Sequence, residues 1–155
     1  MAISGLGGIS TVGKSEWIEI EITVDSGACE TVMPAGICHS IGILASKQYV
    51  EGVEYEVANG ETIPNLGERR CLMMTQGSGV CKKITFQVAD VHKPLLSISR
   101  VADLGFECVL GKTGGKLIDS VTGEFIPLTR KDNLYVMKAW VKQDQNDMTP
   151  FTGPV

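Results

Sequence analysis

Asp25 stands at the end of an apolar alternation and is followed by Ser26, Gly27 and Ala28. Two such carboxylates close enough to share one proton can activate water. Like charges that near cannot both ionise, so one group serves as acid and the other as base. The ionised member takes a proton from water, and the water attacks a carbonyl. The protonated member polarises that carbonyl and then supports proton delivery to the leaving nitrogen. Gly27 lets backbone approach the carboxylate with no Cβ in the way. The Ser26 hydroxyl is expected to hydrogen-bond across the turn and fix the loop. The plainer reading of Asp-Ser-Gly is an ordinary turn. Turn aspartates usually follow polar residues, however, and this one follows a strand pattern.

That pattern begins at Trp17. Ile18, Ile20, Ile22 and Val24 fall on one face, with Glu19, Glu21 and Thr23 on the other. A period of two predicts a half-buried strand. Residues 35–50 mix apolar residues with Gly and Ser and read as loop plus a short strand. Residues 53–74 read as a hairpin: Val53, Tyr55 and Val57 alternate, and Asn59-Gly60 is the signal for a tight two-residue turn. Gly67 would relieve crowding in the second arm. Gly77-Ser78-Gly79 makes a turn, and Ile84, Phe86 and Val88 alternate in a strand that ends before Pro94. Leu95, Leu96 and Ile98 are expected to be buried. Ser99 can cap a short helix, Arg100–Leu104, stopped by Gly105. Strands are expected at 106–110, 116–119, 124–129 and 134–141, the last packing through Leu134, Val136 and Trp140.

Other motifs lead elsewhere. Gly8 to Ser15 fits GxxxxGK[ST], the phosphate-binding loop. That loop must follow a buried strand and open a helix; here a short Gly-rich segment precedes it and a strand pattern follows. A flexible leader over 1–14 is the expectation, with a nucleotide-binding protein using Gly8 to Ser15 as the further alternative. Asp119-Ser120 follows Leu117-Ile118 as a second catalytic aspartate might, but Val121 stands where the glycine must be. Thr122-Gly123 suggests a hairpin turn instead. A Cys-His nucleophile pair, Cys29 or Cys38 with His39 or His92, has no spacing to support it.

The chain of 155 residues is 43% hydrophobic and carries a net charge of -4. One domain over 15–142 with a real core is expected, followed by a mobile polar tail over 143–155. There is no basic run for nucleic acid, and no apolar run long enough to span a bilayer. Five cysteines, with no CxxC pair, argue against a disulfide framework and for a reducing compartment. The cytoplasm is the expected location. Zinc is not expected, because Cys38-His39 are adjacent and cannot chelate as spaced ligands do. Cys29, four residues past Asp25, is the cysteine expected to touch a functional loop.

Val24-Asp25-Ser26-Gly27-Ala28 is similar to the active-site signature of aspartic peptidases. The order of strand, Asp-Ser-Gly-Ala, Asn-Gly hairpin, Leu95-Leu96-Ser97-Ile98-Ser99, short helix, Gly105-Phe106 and Asn133-Leu134-Tyr135 resembles the protease segment of copia-type retrotransposon polyproteins over roughly residues 17 to 140. The resemblance implies an all-β, closed-barrel-like retropepsin fold with one short helix. It implies an aspartic endopeptidase in which Asp25 is catalytic and Ser26, Gly27 and Ala28 support the loop. Val57, Ala58, Asn59, Gly60 and Glu61 would form a flap over the substrate, although a purely structural hairpin is the rival reading. One chain offers one catalytic carboxylate, so the chemistry requires a homodimer, each copy giving one Asp25. The substrate would be polypeptide, in particular the chain's own polyprotein. No metal or organic cofactor is implied. Two departures stand out: Ser97 replaces a glycine usual in retroviral proteases, and Glu30 would put charge near the cleft. The alternative is a catalytically inactive dimerisation or peptide-binding module of the same fold.

Overall fold

The computed structural model describes residues 17–77 and 81–143. The expected leader with its Gly8–Ser15 motif, the tail beyond Gln143 and the tip of the Gly77–Gly79 turn lie outside the described residues. Strands dominate the rest. In order they are β1 (Trp17–Asp25), β2 (Val32–Met33), helix α1 (Lys47–Val50), β3 (Glu54–Glu56), β4 (Thr62–Pro64), β5 (Gly67–Thr75), β6 (Cys81–Val88) and β7 (Leu95–Ser97). Helix α2 (Ile98–Asp103) follows, then β8 (Phe106–Gly111), β9 (Gly114–Asp119), β10 (Phe125–Lys131) and β11 (Leu134–Lys142).

Nine strands form one sheet in the order β1-β7-β2-β6-β5-β11-β10-β9-β8, and β3 pairs with β4 separately. β1 also pairs with β11, so the pairings among the first six strands of that order return to their start. The β1–β11 ladder is antiparallel from Trp17↔Lys142 to Thr23↔Val136. β7 runs parallel to the end of β1, with Asp25 opposite Ser97.

The alternation in β1 follows a period of two as far as Ile22; Thr23, on the outer face, is buried at 6% exposure. Ile20 and Ile22 are buried while Glu19 and Glu21 face solvent. They pack with Met33, Phe86, Val88, Leu96, Met137 and Val141 in one core. Truncating a side chain there would cost about 2–5 kcal/mol in lost burial and cavity.

Four local expectations are corrected. First, there are two short helices where one was expected. Within 35–50 the only β contact is the Leu44↔Glu68 bridge. The helix there, α1, starts because the Ser46 hydroxyl accepts from the Tyr49 amide, which satisfies one of the donors a helix leaves free at its start. Second, α2 is capped by Ser97 and not Ser99. Ser97 is extended and its hydroxyl accepts from the Arg100 N–H, while Gly105 takes φ +92° just past the end.

Third, Asn59-Gly60 is not a two-residue turn. The Gly60 N–H donates to Val57 O and the Val57 N–H to Glu61 O. Only Gly60 has positive φ, +87°. That is a longer turn closed by a glycine bulge, whereas a two-residue type I′ turn needs positive φ at both central residues. Asp132 and Asn133 meet that condition, at φ 53° and 63°, between the paired Lys131 and Leu134. The second arm, β4, ends at Pro64, and β5 belongs to the large sheet. Fourth, Leu134 is 40% exposed and Ile98 and Trp140 are half-buried. The core-facing side of β11 is carried by Met137, Ala139 and Val141, while Val136 is buried on the opposite face.

Candidate active site

β1 carries Asp25 out of the core into a tight turn. The Gly27 N–H donates to Asp25 Oδ1 at 2.7 Å, and the Ala28 N–H reaches Asp25 O at 3.4 Å. A Cβ on Gly27 would lie 3.3 Å from Asp25 Oδ1, closer than ordinary contact, so glycine is what lets the amide reach the carboxylate. Ser26 is exposed, and its hydroxyl makes no hydrogen bond among the described residues. The loop is fixed from elsewhere. Ser97 Oγ donates to Ala28 O at 2.7 Å, Arg100 Nε donates to Cys29 O at 3.2 Å, and the Ser97 N–H donates to Thr31 Oγ1 at 3.1 Å.

A cleft of about 360 Å³ separates this turn from the β3–β4 hairpin. Asp25, Gly27 and Ala28 line one side, and Tyr55, Val57, Ala58 and Ile63 the other. Asn59, Gly60 and Glu61 are exposed at the hairpin's end and outside the lining. Cys29 also lines the cleft. His39 and His92 are exposed and neither lines it, so the structure brings no Cys-His pair together there.

Glu30 also lines the cleft, but its charge is committed. Tyr55 OH donates to Oε2 at 2.7 Å and Gln48 Nε2 to Oε1 at 2.6 Å, and Arg100 lies 3.6 Å from Oε1. Tyr55 OH in turn accepts from Asn65 Nδ2 at 2.9 Å. Burial pushes the Tyr55 phenol well above its ordinary pKa; the bond to Glu30 adds to this and the bond from Asn65 opposes it. Asn65 is 4% exposed with every side-chain polar atom used. Nδ2 also donates to Gln87 Oε1, and Oδ1 accepts from Ser46 Oγ and the Gly67 N–H.

Sequence patterning missed Tyr55, Asn65 and the Ser97 hydroxyl as organisers of this site. The available signal was a polar residue, Asn65, just before the glycine that opens a strand.

Asp119 is elsewhere. It borders a mainly apolar cavity of about 350 Å³ between α2, β6 and β9. Its Oδ1 accepts from the Val121 and Thr122 N–H groups, and these backbone bonds, Val121's first, draw its pKa below the usual value. It is the turn-stabilising aspartate that Thr122-Gly123 suggested.

All five cysteines are free thiols. Among the described residues no cluster of three potential metal ligands occurs, and no helix is long and apolar enough to cross a membrane. Comparison with protein-family models, with curated proteins and with solved structures finds no match to this chain.

Proposed function

We propose that this chain is a retropepsin-type aspartic endopeptidase of the copia-type retrotransposon family, working as a homodimer in the cytoplasm. One observation carries the reading: Asp25 leaves a buried strand into a glycine-backed turn and faces a hairpin across a cleft of about 360 Å³. The returning circuit of strand pairings is consistent with a closed-barrel-like retropepsin fold. In the dimer two Asp25 carboxylates meet and share a proton. The dyad, not either residue, then has the pKa values that matter. One carboxylate takes a proton from water, and the other polarises the peptide carbonyl. The 57–61 segment with its flanking strands acts as the flap. Val32, Val57, Ile63, Val91 and Leu95 line the cleft and favour apolar side chains beside the scissile bond. The substrate is the polyprotein from which the chain derives, and no cofactor takes part.

The test is cleavage of a diverse peptide pool from acidic to neutral pH, comparing the chain with Asp25→Asn at several concentrations. Activity that vanishes in the variant and rises faster than linearly with enzyme supports a dimeric aspartic peptidase. Equal activity in both removes Asp25 from the chemistry. A folded, dimeric but inactive chain favours the second reading, an inactive dimerisation or peptide-binding module.

A further inference from the structure

We propose that the Tyr55–Glu30 hydrogen bond is a latch that sets how closely the β3–β4 hairpin stands over Asp25. Both are positioning residues, and the inference rests on the reading of the cleft as the substrate site. Three observations carry it. The hairpin is a separate two-stranded sheet, so no main-sheet ladder holds β3 or β4 in place. Among the described residues its polar attachment to the Asp25 loop runs through one side chain, Tyr55, which donates to Glu30 Oε2 at 2.7 Å. Glu30 is itself fixed by Gln48 and by Arg100, and Arg100 also holds the Cys29 carbonyl. The latch and the Asp25 loop therefore share one anchor.

The hairpin's base has anchors of its own, besides the Asn65 Nδ2 bond to Tyr55 OH. The Asn65 N–H donates to Val53 O, and the Asn65 side chain ties the base to Gln87 on β6. Breaking Tyr55–Glu30 thus frees the body of the hairpin while its base stays attached. A hydrogen bond to a carboxylate is stronger than a neutral one, and this one is shielded, since the Glu30 side chain is 12% exposed. A flap held near the loop touches substrate in ground and transition states alike. Loosening it removes uniform binding, which raises KM and leaves kcat nearly unchanged.

The experiment measures amide hydrogen exchange and steady-state cleavage in the full chain and in Tyr55→Phe, Glu30→Gln and the double variant. The Val57 and Gly60 amides report the hairpin. The Leu44 and Gln87 amides, bonded to Glu68 O and Thr31 O, report the main body. Tyr55→Phe removes the bond to Glu30 and the bond from Asn65 and is expected to speed exchange at Val57 and Gly60 at least about tenfold, with Leu44 and Gln87 unchanged. KM should rise about tenfold with kcat within about twofold. Glu30→Gln keeps one acceptor and should act in the same direction; adding it to Tyr55→Phe should change little at the hairpin amides, because there the two share one interaction, while its loss of the Arg100 ion pair falls on the Asp25 loop. Unchanged hairpin exchange in both single variants overturns the latch. So does faster exchange that extends to Leu44 and Gln87, which would mark a general structural role. Should Tyr55→Phe not fold, Glu30→Gln carries the same comparison. Faster hairpin exchange in chains that never cleave peptide keeps the latch and retires the protease reading.

Discussion

Ser97 Oγ donates to the Ala28 carbonyl at 2.7 Å and accepts from the Arg100 N–H at 3.3 Å. One hydroxyl, fully buried, thus ties the Asp25 turn to the start of α2. A glycine at this position could do neither. Ser97→Ala is expected to lose a cap and leave a carbonyl unpaired, about 2 kcal/mol together. Ser97→Gly should lose as much, with some added chain entropy. Urea unfolding measures both. A loss near zero in Ser97→Ala would mean the loop is held without it.

Gly67 has φ +124°, and a Cβ there would lie 2.5 Å from Leu44 O and 2.6 Å from Ile43 Cγ2. The backbone of Leu44 and Glu68 exchange two hydrogen bonds at this crossing, so neither strand can retreat freely. Gly67→Ala should cost at least about 2 kcal/mol from strain alone. Gly36→Ala is the control, since its Cβ would meet nothing within 4 Å. Equal unfolding midpoints for the two variants would contradict the crowding argument.

Periodicity made β1, β6 and the later hairpins legible, because one buried face forces alternation whatever the rest of the chain does. Turn chemistry was less so. Asn59-Gly60 carries the strongest two-residue signal, yet Val57 and Glu61 are the residues that pair, and Gly60 closes a bulge. Asp132-Asn133 makes the two-residue turn with no glycine at all. Ser97 and Ser99 are equivalent as sequence caps; only the Ala28 carbonyl, distant in the chain, distinguishes them. The Asp25 turn was readable as a local motif. The polar network of Glu30, Tyr55 and Asn65 was not, because its bonded pairs lie 25 and 10 residues apart and no local period relates them.

Arg69 is 3% exposed and, among the described residues, pairs with no carboxylate. Its guanidinium donates to the carbonyls of Pro34, Ala35, Ile37 and Ile41, which ties the 34–41 loop to β5. Burial draws its pKa down, and the nearby Cys38 and Cys71 oppose that. Arg69→Met keeps much of the volume and removes every donor, so about 3 kcal/mol should be lost. The Ile41 amide, bonded to Cys38 O, should exchange faster. Arg69→Lys should recover only part, because an ammonium cannot present the planar fork. Full recovery by lysine would show that charge, not donor geometry, holds the loop.

Tyr55 gives the expected pH dependence a sign. Burial, first, and then Glu30 raise its folded pKa above the ordinary value of 10.0. A raised folded pKa means that the unfolded chain deprotonates first as pH increases. The stabilisation is therefore fully present below about pH 10 and is lost as pH rises through the folded value. Cys71 is shifted upward too, chiefly by its hydrogen bond with Cys38, so the wild-type curve alone mixes both groups. The difference between wild type and Tyr55→Phe isolates Tyr55. The two urea midpoints should differ by a constant amount from neutral pH to about pH 9.5 and converge above about pH 10.5 as the phenol ionises. Midpoints that stay parallel through pH 11.5, roughly a unit and a half above the free phenol, would mean that the Tyr55 hydroxyl titrates alike in folded and unfolded chains and is not held at Glu30.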